Sequence, residues 1–132
     1  MSYKLVVHLN QSLNEAIIQY VQNFAKRNSY EFYFENNQKE GYVDLFFIVD
    51  TLAKAKDLWR HIEAEVGNSD SPVAFIKKEW IVTLCHDENW DKYILLQSCF
   101  ESNDSKHLAF NFLSDDFSWD KHIKGLPGSA FG

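Results

Sequence analysis

Hydrophobic and polar positions alternate from Tyr3 to Leu9, with Tyr3, Leu5, Val7 and Leu9 on one face, so a strand with one buried side is predicted there. The period then changes. Leu13, Ala16, Ile17, Tyr20, Val21, Phe24 and Ala25 fall at helical spacing and predict a helix over about 12–27. Ser12-Leu13-Asn14-Glu15 reads as a capping box at its start. Alternation returns at Tyr30–Glu35, where Tyr30, Phe32 and Phe34 oppose Glu31, Tyr33 and Glu35. The polar run Asn36 to Gly41 supplies a turn in which Gly41 is free to take positive φ.

Tyr42 to Val49 is apolar enough for an interior strand. Asp50 or Thr51 is then placed to cap a second helix, over about 51–66, whose stripe is Leu52, Ala55, Trp59, Ile62 and Val66. Gly67 stands where a helix-ending glycine belongs. Glu79–Cys85 and Tyr93–Phe100 read as two strands around the turn His86 to Asp91. Lys106–Leu113 fits either a strand or a short helix, and about 125–132 reads as a flexible tail.

Strand, helix, strand, strand, helix, strand is the order of a split βαβ arrangement. The predicted fold class is therefore α+β: a ferredoxin-like antiparallel sheet, two helices on one face, and extra C-terminal strand or strands. A chain of 132 residues is expected to be one domain, 1–132, able to bury roughly two-thirds of its unfolded surface without staples.

Charge sharpens this picture. The chain carries a formal net charge of −6, and all of it lies between Asp87 and Asp120, where eight acids meet two lysines. The remainder is balanced. The acidic stretch also holds Trp90, Tyr93, Phe100, Phe110, Phe112, Phe117 and Trp119. Acids beside large rings suit a surface that holds a basic protein, since complementary fields steer encounter and a desolvated Trp anchors the complex. The residues expected to bind such a partner are Asp87, Glu88, Trp90, Asp91, Tyr93, Asp115, Asp116, Trp119 and Asp120.

Other chemistry is thinly represented. In an RNA-binding sheet of this element order, the strand after the turn carries a basic residue and then stacking rings. Here Glu40 and Asp44 occupy those places in Glu40-Gly41-Tyr42-Val43-Asp44-Leu45-Phe46-Phe47. Both would repel phosphate, so no nucleic-acid partner is expected. Cys85-His86-Asp87-Glu88 is the densest cluster of reactive types, but neighbours in a strand point to opposite faces and do not converge. No phosphate loop, dinucleotide fingerprint or metal-ligand spacing appears, so neither a cofactor nor a metal is expected, nor enzymatic activity.

Cys85 and Cys99 are expected to be reduced and unpaired. A hairpin turning near Asn89 sets Cys85 opposite about position 93 and leaves Cys99 out of bridging reach. With no signal-like N-terminus and no apolar run long enough to span a bilayer, the expected setting is the cytoplasm, with no membrane partner.

In size, acidity and lack of enzyme motifs the chain resembles the immunity proteins that bacteria pair with secreted toxins, often nucleases. That resemblance implies neutralisation of a basic toxin by a binding surface. The competing reading is a small-molecule-binding or enzymatic ferredoxin-like domain, with a pocket on the open sheet face lined by His8, Phe46 and Ile48.

Overall fold

The computed structural model describes residues 2–86, 89–98, 112–114, 117 and 124–125. They form β1 (Tyr3–Leu9), α1 (Glu15–Arg27), β2 (Glu31–Asn37), β3 (Tyr42–Val49), α2 (Leu52–Gly67), a 3-10 turn (Ala74–Lys78), β4 (Trp80–His86), β5 (Asn89–Ser98) and a short β6 (Lys124–Gly125). The chain is thus α+β, with one open antiparallel sheet in the order β2-β3-β1-β4-β5-β6. Strand count and full order depart from a strict four-stranded βαββαβ sheet, because β5 and β6 continue it past β4. No helix of the described residues is long and apolar enough to cross a membrane.

Register makes the two faces unequal. Leu5 lies between Phe47 and Leu84, Val7 between Leu45 and Val82, and Leu9 between Val43 and Trp80, all of them buried. Both helices cover this face. A small apolar crevice is lined by Val7 and Phe47 of the sheet, Val21 and Phe24 of α1, and Ile62 and Val66 of α2. Trp59 of α2 is fully buried with its ring centroid 5.7 Å from that of Trp80, and its Nε1 has no hydrogen-bond partner among the described residues.

The helix boundaries follow their caps. Asn14, rather than Ser12, caps α1: its side chain accepts from Ile17 N at 2.9 Å. A second asparagine holds the entry loop, since Asn36 of β2 accepts from Leu13 N at 3.1 Å and donates to Leu13 O at 2.8 Å. These bonds fix the chain beside Leu13, and the cap falls two residues beyond the predicted Ser12. Thr51 caps α2, accepting from Lys54 N at 3.1 Å. Gly67 is the last residue of α2, and extended Asn68 ends the helix, so no left-handed glycine is used there. Gly41 does use its freedom, at φ +74°, in the β2–β3 turn.

Residues 112–114 and 117 pack on the helix side. Phe112 is fully buried in the core and meets Phe117 edge-on, with centroids 5.1 Å apart. Lys56 of α2 donates to Ser114 O at 2.9 Å and lies 5.6 Å from the Phe117 ring. In the segment predicted as either strand or helix, Phe112 and Leu113 are helical, and 106–111 lie outside the described residues. The expected tail from 125 is shortened at its start, because Lys124 and Gly125 pair with Tyr93 and Lys92 of β5.

Removing the cap that operates should cost more than removing the one that does not. Asn14→Ala should lower stability by about 1 kcal/mol, and Ser12→Ala by much less. Asn36→Ala strands two part-buried backbone groups and should cost about 1–3 kcal/mol. Urea unfolding of the three variants measures all of these.

Candidate functional site

The face turned away from the helices collects the polar members of each alternating strand. β1 contributes Lys4, Val6 and His8, each half-buried. In register beside them on β3 stand Ile48, Phe46 and Asp44, and on β4 stand Cys85, Thr83 and Ile81. β2 adds Glu31, Tyr33 and Glu35, opposite Ile48, Phe46 and Asp44.

Two rows cross this face. In the first, Tyr33 and Phe46 stack at 4.5 Å and 11°, and the Lys4 ammonium lies 5.1 Å and 5.2 Å from the two ring centroids. A cation over two faces of π density is held electrostatically, and its stem shields the rings from water. In the second row, Glu35 and Asp44 stand directly opposite across β2 and β3. Two like charges so placed repel. Each has a compensating partner: Asp44 is paired with His8 Nδ1, and Glu35 accepts from the Tyr42 hydroxyl at 2.6 Å. That bond to a carboxylate is the main reason the Tyr42 hydroxyl titrates above its ordinary range. His8 Nε2 lies 3.2 Å from Asn10 Oδ1, which fixes the ring at both nitrogens.

The residues singled out for the ligand-binding alternative therefore share a face without forming one pocket. His8 is engaged by Asp44, and Phe46 is stacked under Tyr33. Ile48 instead lines a cleft at the end of the strands, with Tyr30, Glu31, Asp50, Lys54 and His61. There Tyr30 Oη lies 2.5 Å from His61 Nδ1, and Lys54 pairs with Asp50 at 2.9 Å. Burial, aided by the charge of Asp57, pushes the Tyr30 hydroxyl up. The hydrogen bond from Lys54 holds the Asp50 carboxyl down.

Of the predicted partner-binding residues, Trp90, Asp91 and Tyr93 lie on β5, at the other side of the sheet. Tyr93 is half-buried on β5 opposite Cys85, the partner expected for that cysteine, and so faces the open side. The backbone of Trp90 and Asp91 lies in β5 rather than in a turn. The register jumps from Cys85–Tyr93 to His86–Asn89, which leaves residues 90–92 as a bulge near the strand's start. Asp87, Glu88, Asp115, Asp116, Trp119 and Asp120 lie outside the described residues. Cys85 and His86 do point apart: Cys85 pairs with Lys4 on the open face, while His86 packs edge-on against Tyr3, centroids 5.2 Å apart, on the helix side.

The Glu35–Asp44–His8 row went unnoticed in the sequence as a unit. Its signal was polar residues at the open-face positions of strands with apolar buried faces, but only the register aligns them. No protein-family model matches this chain, and comparison with curated proteins and with solved structures likewise gives no match.

Cys85 is a free thiol, and burial is the main cause that pushes its pKa above the ordinary thiol value, against weaker lowering by Thr83 and Lys4. Since the thiolate is the reacting form, Cys85 should alkylate more slowly than an exposed thiol at neutral pH. Its rate should still be rising about tenfold per pH unit where a free thiol has levelled off. Iodoacetamide labelling of the folded Cys99→Ser variant against pH measures this, and a plateau at or below the ordinary thiol pKa would contradict it.

Proposed function

We propose that this chain is a non-enzymatic binding protein that neutralises a basic protein partner, such as a bacterial nuclease toxin, through an acidic aromatic surface. One observation carries the reading: the whole formal charge of −6 falls within 87–120, the stretch that follows β4 and includes β5. β5, which lies in this stretch, extends the sheet beyond β4, and Tyr93 stands on the open face opposite Cys85. Glu35 and Asp44 give the far side of the same face the same sign, which favours a cationic partner and disfavours a phosphate backbone.

In this reading β1 to β4 and the two helices are a ferredoxin-like core, supported by the order β4-β1-β3-β2 within the sheet. The setting proposed is the cytoplasm, where Cys85 stays reduced. Steering and holding are divided between residue types. The acids at Asp87, Glu88, Asp91, Asp115, Asp116 and Asp120 accelerate encounter, and Trp90 and Trp119 anchor the complex once water is expelled. Trp90 ranks first because its backbone lies within β5, in the bulge that follows the β4–β5 turn.

The test begins by capturing partners from the native host and measuring the binding kinetics of the captured protein at several salt concentrations. The partner should be basic. Reversing Asp87, Glu88 and Asp91, or Asp115, Asp116 and Asp120, to Lys should slow association and flatten its salt dependence. Trp90→Ala should chiefly speed dissociation, by about 30-fold for an anchor worth about 2 kcal/mol. Unchanged affinity and association rate after both reversals would refute the proposal.

A further inference from the structure

β2 ends the sheet, and among the described residues no strand pairs with its outer edge. It is also where rings are left in solvent: Tyr33 is 42% exposed and Phe34 38%, two of the three exposed large hydrophobic residues described. Phe32 and Phe34 stack at 6.1 Å and 25° along the helix-side margin of this edge. An unpaired, ring-bearing edge is a template for another strand.

We propose that the strand it receives is β2 of a second copy of this chain, joined antiparallel about a two-fold axis at Phe34. Paired residues must share a sheet face, which leaves few symmetric registers. With Phe34 on the axis, Phe34 meets its own copy, Phe32 faces Asn36, Tyr33 faces Glu35, and Glu31 faces Asn37. Each acid then meets a hydrogen-bond donor, the Tyr33 phenol or the Asn37 amide, and the four rings of Phe32 and Phe34 from both copies form one apolar cluster. Moving the axis one residue, to Tyr33, sets Glu31 directly against Glu35 twice over, and like charges opposite one another destabilise a strand pair.

Asp91, the one acid of the 87–120 stretch whose backbone is described, does not oppose this contact. β5 lies four strands away, roughly 19 Å at about 4.8 Å per strand. That exceeds a screening length of about 8 Å at physiological ionic strength. The dimer would be one continuous twelve-stranded sheet with the two β5 strands toward its far sides. It rests on the edge of β2 alone and holds or fails independently of the proposed partner.

Sedimentation equilibrium of the wild-type chain tests the association, and cysteine cross-linking tests the register. In a background with Cys85 and Cys99 both changed to Ser, Phe34→Cys should oxidise to a covalent dimer, because paired positions on the axis fall within disulfide reach. Tyr33→Cys should cross-link much more slowly, since its copies sit diagonally, about 7–8 Å apart. Phe34→Lys, checked for native circular dichroism, should weaken the dimer about tenfold or more. A wild-type chain that stays monomeric at its highest soluble concentration overturns the proposal. So does faster cross-linking at Tyr33 than at Phe34, or a Phe34→Lys variant that dimerises unchanged.

Discussion

The structure depends on β1 being paired on both sides in one register. Seven consecutive residues, Tyr3 to Leu9, align with β3 on one flank and β4 on the other. Leu5, Val7 and Leu9 thereby become the middle row of the core, beneath both helices. A slip of one residue would turn Lys4, Val6 and His8 inward and expose those three apolar side chains. Burying Lys4 and His8 away from their partners would add a charge-desolvation cost to the lost hydrophobic burial. The register is therefore specified twice, by what must be covered and by what must stay wet.

The open face inherits the constraint. Once β1, β2 and β3 are locked, Glu35 and Asp44 are forced opposite each other whatever their charges prefer. The surrounding side chains answer that repulsion: His8 takes up Asp44, and the Tyr42 hydroxyl donates to Glu35. One row nearer the strand ends, Lys4 lies over the stacked Tyr33 and Phe46. Along these two rows the face is a set of locally satisfied pairs.

The helix side shows the opposite economy. Tyr20 of α1 donates to Glu65 of α2, and Ser71 donates to the same carboxylate at 3.2 Å, tying both helices and the following loop to one acid. Phe112 enters the core from far along the chain, and Lys56 fastens the backbone beside it at Ser114. The described C-terminal residues thus reinforce the helix layer and the β5 edge.

Much of this was written in local pattern. Period-two alternation located β1, and an apolar run β3, to the residue, and the helical stripes located α1 and α2, because burial leaves a trace in the sequence. The need for positive φ at Gly41 was legible for the same reason, as was the pairing of Cys85 with Tyr93 from the placement of the turn. The clustering of charge in 87–120 is a property of sequence alone. Tertiary structure decided the rest. Asn36 reaches across 23 positions to hold Leu13, which made Asn14 the cap in place of Ser12. Residues 90–92 became a bulge in β5, and Phe112 became core. The Glu35–Asp44–His8 row exists only because three strands pair in one register. Local pattern records which residues must be buried; it does not record which distant residues register and packing bring together.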